Sequence, residues 1–135
     1  MKTKPKTVLV VDDDANTLKA VSVRLNAAGY QVRTASNGVE ALVMARTQAP
    51  DAIIADIWMP VGMGFSLAHR LRETAPEIPI IFLTADKQSG LKDMAREVGA
   101  AGFLEKPYSP EILLAMVSWV LTPPPPARCG LASAN

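Results

Sequence analysis

The sequence predicts one α/β domain of the doubly wound kind, a three-layer sandwich in which helices cover both faces of a five-stranded parallel sheet. Three observations carry that expectation. Short apolar runs recur along the 135 residues, and the first, third and fourth are continuously apolar, as strands buried on both faces should be. Capped amphipathic segments separate them. Acidic residues gather where runs end, at Asp12, Asp13, Asp14 and Asp56.

Taken in order, the first strand is expected over Thr7–Val11, and helix one over Ala15–Ala28. Asp14 is its N-cap, Leu18, Val21 and Leu25 share one face, and Gly29 closes it. The second strand, Tyr30–Thr34, alternates more, which suits a sheet edge. Helix two opens at Ser36-Asn37-Gly38-Val39-Glu40, where Asn37 and Glu40 have the spacing of a capping box. The third strand is Ala52–Ala55, helix three Leu67–Glu73, the fourth strand Ile78–Leu83, and helix four Ser89–Val98, ending at Gly99. After a fifth strand at Gly102–Leu104, Ser109-Pro110-Glu111 supplies an N-cap, an N1 proline and a first-turn acid for helix five.

Composition narrows the function classes. Lys and Arg number 14 against 13 Asp and Glu, a formal charge of +1, so no basic footprint for nucleic acid is expected. The one cysteine, Cys129, can form neither an internal disulfide nor a zinc cluster. No apolar stretch reaches the roughly 18 residues of a membrane span, and residues 1–6 lead straight into the first strand as a flexible N-terminus, unlike a signal peptide. A cytoplasmic, non-membrane protein is expected. The domain should occupy residues 7–121, leaving 122–135, with the run Pro123 to Pro126, as a linker or tail.

In open α/β sheets, sites lie beyond the carboxyl ends of the strands, where strand order reverses. Asp12 and Asp13 end the first strand, Asp56 the third and Thr84 the fourth, while Lys106 follows the fifth, so distant stretches converge on one rim. Crowded carboxylates repel: two unit charges 4 Å apart interact by about 4 kcal/mol at an effective dielectric near 20. They need a cation, protons or separation. Each residue alone has a plainer use, as a turn acid, a solvated lysine or a strand-end hydroxyl. Their joint placement favours a site.

From about Thr7 to Leu121 the chain resembles the receiver domain of two-component response regulators. The resemblance rests on the acidic pair Asp12-Asp13, on Asp56 in Asp56-Ile57-Trp58-Met59-Pro60, on Leu83-Thr84-Ala85 and on Lys106-Pro107, in that order. It implies a flavodoxin-like (βα)5 fold with strand order 2-1-3-4-5 and a phosphoryl group accepted on Asp56. Mg²⁺, or Mn²⁺ in its place, would be held by Asp13, Asp56 and the Trp58 backbone carbonyl directly and by Asp12 through water. Lys106 and Thr84 would meet the phosphoryl oxygens. The donor would be a sensor histidine kinase or a histidine phosphotransfer protein.

The same resemblance assigns a switch to Thr84 and Phe103, although Phe103 also reads simply as core at a strand end. It places Trp58 and Asp86 at positions that tune dephosphorylation, makes Lys106-Pro107 a cis peptide, and assigns output to helix four, strand five and helix five, by binding a protein partner or a second copy. The chain departs from the pattern after Pro60, where Val61-Gly62-Met63-Gly64 lacks the family's acid. His69, the one histidine, is expected at the surface. Direct nucleic-acid binding and enzymatic turnover are not expected beyond the domain's own phosphoryl acceptance and loss. The alternatives are a receiver cut from a larger DNA-binding or hybrid regulator, a scaffold without chemistry, or a Mg²⁺-dependent phosphohydrolase using Asp56, which Trp58 disfavours by standing where a second acid would be needed.

Overall fold

The computed structural model describes residues 4–57, 64–85 and 90–122. Its strands are β1 (Thr7–Val11), β2 (Gln31–Ala35), β3 (Ala52–Asp56), β4 (Ile80–Thr84) and β5 (Gly102–Glu105); its helices are α1 (Ala15–Ala27), α2 (Gly38–Thr47), α3 (Gly64–Thr74), α4 (Leu91–Glu97) and α5 (Pro110–Leu121). All neighbouring strands are parallel, in the order β2-β1-β3-β4-β5, as the doubly wound expectation requires.

Alternation along each strand feeds two cores. In β1, Val8 and Val10 face one layer, with Val21 and Leu25 of α1 and Leu113 and Val117 of α5. Leu9 and Val11 face the other, with Ala41 and Ala45 of α2, Leu67 and Leu71 of α3, and Leu91 and Ala95 of α4. Because both faces are covered, β1 from Val8 onward, β3 and β4 carry no polar residue before their carboxyl ends. Polarity, and with it chemistry, is confined to the rim.

Local signals set the helix ends. Asn37 Oδ1 accepts from the Glu40 N–H at 2.8 Å, while Glu40 Oε1 accepts from the Ser36 N–H at 2.7 Å, so the reciprocal arm of the capping box reaches one residue further back than the standard motif. Ser109 caps α5 by accepting from the Ile112 N–H at 3.2 Å. Gly29 and Gly99 end their helices at φ 98° and 80°, a left-handed conformation that glycine adopts without a Cβ penalty.

Several boundaries differ from the sequence expectation by one to three residues, and at three of them the cause is visible. Tyr30 stays with the closing turn of α1, because its N–H donates to Leu25 O at 3.1 Å, so β2 starts one residue later. Ile78 donates to Ala75 O in a turn and Pro79 has no N–H, so β4 starts at Ile80. Helix α3 begins earlier, at Gly64, and Phe65 is buried with its ring edge-on to Phe82, centroids 5.1 Å apart.

Candidate functional site

The chain crosses between layers at β1 and β3, which are neighbours in the sheet, and the crevice between their carboxyl ends is the topological switch point. Beyond Val11, the Asp12 N–H still donates to Ala35 O at 3.1 Å, which extends the sheet's hold by one residue. Asp12 Oδ1 accepts from the Asp14 N–H at 2.9 Å, an Asx turn that fixes the carboxylate. Three consecutive aspartates therefore take three different positions. Asp12 is buried at 2 % exposure, Asp13 is exposed, and Asp14 caps α1 by accepting from the Asn16 N–H at 2.9 Å.

Asp56 closes β3 half-buried, beside Asp12. Lys106 reaches both: its Nζ lies 3.6 Å from Asp12 Oδ2 and 3.7 Å from Asp56 Oδ2. These distances are ion pairs rather than hydrogen bonds, so one ammonium sits between two carboxylates and is locked to neither. Its backbone is anchored, since the Lys106 N–H donates to Thr84 O at 2.7 Å and the Lys106-Pro107 peptide is cis. Thr84 ends β4 fully buried.

The site is electrostatically unfinished. Burial, more than any other cause, pushes the Asp12 carboxyl up from 3.8 to about 6; the Asp56 charge and a hydrogen bond with Asp13 add to this, while the Asp14 N–H and Lys106 oppose it. Asp12 Oδ2 is also buried without a hydrogen bond. One ligand oxygen from each of Asp12, Asp13 and Asp56 lies within 4.8 Å of the others, a cluster that can hold a metal ion. A small hard cation with oxygen ligands at about 2.0 to 2.1 Å draws such oxygens only slightly closer. The donor set is all carboxylate, and Asp12 Oδ2 is ion-paired to Lys106 without being hydrogen-bonded, so the residues present fit a divalent cation.

Asp12, Asp13, Asp56, Thr84 and Lys106 thus meet at one rim, where the sequence places them. Phe103 sits in β5 opposite Phe82, partly buried against the core shared by α2, α3 and α4. Trp58 and Asp86 lie outside the described residues, as do the segment from Met59 to Met63 and the proline run. His69 is exposed, as expected. Sequence reasoning assigned no role to Tyr108, yet this half-buried phenol is close enough to the site for its pKa to be raised first by burial and then by the Asp12 charge. Its position two residues after Lys106 was the available signal.

Comparison with known proteins agrees with this geometry. The family model for the response regulator receiver domain matches residues 8–118. The alkaline phosphatase synthesis transcriptional regulatory protein PhoP of Bacillus subtilis is 37% identical over 116 residues, 86% of this chain but 48% of its own length. The chain thus spans about half the length of the curated relatives it matches. A crystallised chemotaxis response regulator of Vibrio cholerae superposes with a TM-score of 0.81 at 39% identity, covering 87% of this chain and 99% of that one. A BeF3-activated DrrB receiver domain superposes at 0.79 with 34% identity, over 87% and 97% of the two chains. With its sheet order, its acidic switch point and a family match over most of its length, this chain belongs to the response regulator receiver family of two-component systems.

Proposed function

We propose that the domain accepts a phosphoryl group on Asp56 from a phosphohistidine of a sensor kinase or phosphotransfer protein, with Mg²⁺ held by Asp12, Asp13 and Asp56. The placement of Lys106 Nζ within 3.7 Å of both Asp12 and Asp56 is the observation that carries this reading. An Asp56 oxygen attacks phosphorus in line, the phosphorus–nitrogen bond breaks, and its electron pair leaves with the histidine imidazole. A divalent cation held by Asp12, Asp13 and Asp56 would supply positive charge for the phosphoryl oxygens and would offset the repulsion between the acids. Lys106 turns to a second phosphoryl oxygen, for which its loose pairing leaves it available, and Thr84 donates its hydroxyl to a third.

Output follows if the phosphoryl group biases a packed element. Thr84 is buried at the end of β4 and Phe103 is partly buried on the adjoining strand, so movement of the threonine toward the phosphate changes the space beside the ring. The face formed by α4, β5 and α5 is the proposed readout. Leu113 and Val117 of α5 enter the core, whereas Ile112 and Trp119 remain 52% and 72% exposed for a partner or a second copy. Residues 7–121 form the receiver unit, and 122–135 would link it to an output domain, a reading favoured by relatives about twice as long and named as transcriptional regulatory proteins.

Incubation with a small acyl phosphate and Mg²⁺ tests the chemistry. Intact mass should show the gain of one phosphoryl group, lost on addition of a chelator beforehand and absent in Asp56→Asn. Phosphorylation that persists in Asp56→Asn, or proceeds equally without divalent metal, removes the proposal.

A further inference from the structure

A second recognition surface lies away from the acidic rim. Between α2 and α3 runs a cleft of about 380 Å³. Leu42 and Leu67 form its buried floor, and Val39 and Val43, one helical turn apart, stand along its wall at 58% and 56% exposure. Burying neither valine serves the fold, because α2 already packs inward through Ala41, Leu42 and Ala45. Two arginines, Arg46 from α2 and Arg70 from α3, border the same cleft. Among the described residues, neither makes an ion pair or side-chain hydrogen bond and no carboxylate lines the cleft.

We infer that this cleft binds an amphipathic acidic helix of another protein, with two apolar side chains on successive turns entering between Val39, Val43 and Leu67, and with carboxylates on its flanks meeting Arg46 and Arg70. The charge pattern selects the occupant. Two uncommitted guanidiniums on opposite helices match carboxylates bidentately, and an apolar floor between them matches the inner stripe of a helix laid in a groove. Neither α1, which holds no acid, nor α5, which carries only Glu111, fits that role; α4 carries Asp93 and Glu97, and docking of a second copy is read by the self-association arm of the test. The inference does not depend on phosphoryl acceptance, and its test uses the unphosphorylated protein.

Selection from a displayed library of helical peptides on the full chain tests it. Enriched peptides should carry acids beside apolar residues spaced by three or four. Their binding to a Val43→Asp variant and to an R46E/R70E double variant should weaken by at least about tenfold, the scale of a lost charge-assisted contact. Both changes are on the surface, so unfolding temperature serves as the control for folding. Reselection on R46E/R70E should replace the acids with Lys or Arg. Peptides without acids, binding indifferent to these variants, or contact-induced NMR shifts confined to α5 would overturn the inference, as would self-association through α2 and α3 in place of peptide binding.

Discussion

Replacing Asp12 by asparagine should make the metal-free protein more stable and at the same time less responsive to metal. At pH 7.5 the Asp12 carboxylate is held in a fold that pushes its pKa from 3.8 to about 6, chiefly through burial. A displacement of about two units is worth about 3 kcal/mol against the charged form, at 1.36 kcal/mol per unit. The substituted amide would keep the oxygen that accepts from the Asp14 N–H but would bury an NH2 group with no assured acceptor, at a cost of about 1 to 2 kcal/mol. The balance is a gain of about 1 to 2 kcal/mol, or roughly 4 to 8 °C in a domain of this size. Thermal unfolding in EDTA reads it directly. Since the native carboxyl binds its proton more tightly than the unfolded one, wild-type stability should rise as pH falls through about 6 toward 3.8, and the advantage of the variant should shrink across that window. In wild type, Mg²⁺ should add stability at pH 7.5 and much less at pH 5; in Asp12→Asn the increment should be small at both. A variant that is less stable in EDTA yet fully stabilised by Mg²⁺ would refute the account of a repelling, metal-ready cluster.

Other outcomes follow from the same geometry. Lys106→Met removes the cation between Asp12 and Asp56 and should push the Asp12 carboxyl still higher, visible by NMR titration, while slowing phosphorylation by acyl phosphate at least about tenfold. Gly99→Ala should cost about 1 to 2 kcal/mol in urea denaturation, because φ is 80° and the new methyl displaces the Arg72 guanidinium that donates to Gly99 O at 2.8 Å. On an Arg72→Ala background the same change should cost less, since part of the penalty has already been taken. Asn37→Ala should lower stability by about 1 kcal/mol through loss of the α2 cap, with phosphoryl acceptance unaltered.

The architecture was legible because the apolar runs of β1, β3 and β4 lack polar interruptions and three of the helices carry side-chain caps. Asp14, Asn37 and Ser109 cap the helices that their side chains announce, and the three strands read as buried on both faces are central in the sheet. Boundaries were less legible where a turn's own hydrogen bonds take residues from an apolar run. The Tyr30 N–H returns to Leu25 O in the bond that a closing Gly29 brings with it, which takes Tyr30 out of the strand, and the sequence from Pro60 to Gly64 holds no Ser, Thr, Asp or Asn to announce α3. In the site, convergence was readable from strand ends, but the division of labour between Asp12 and Asp13 was not. Identical side chains one residue apart differ only in which face of the turn the backbone presents, and that face is chosen by the Asp14 N–H and the Ala35 carbonyl. The uneven burial of α5, with Leu113 inside and Ile112 outside, needed the packed neighbours of both faces.

The single sheet stands between two hydrophobic compartments of the described residues. Variation can therefore accumulate in α2, α3 and α4, changing what one side of the molecule recognises, without repacking α1 and α5 on the other. The acidic rim stands at the end of the dividing wall, where both compartments open, so a common chemistry can be kept while either flank is respecified for a new correspondent.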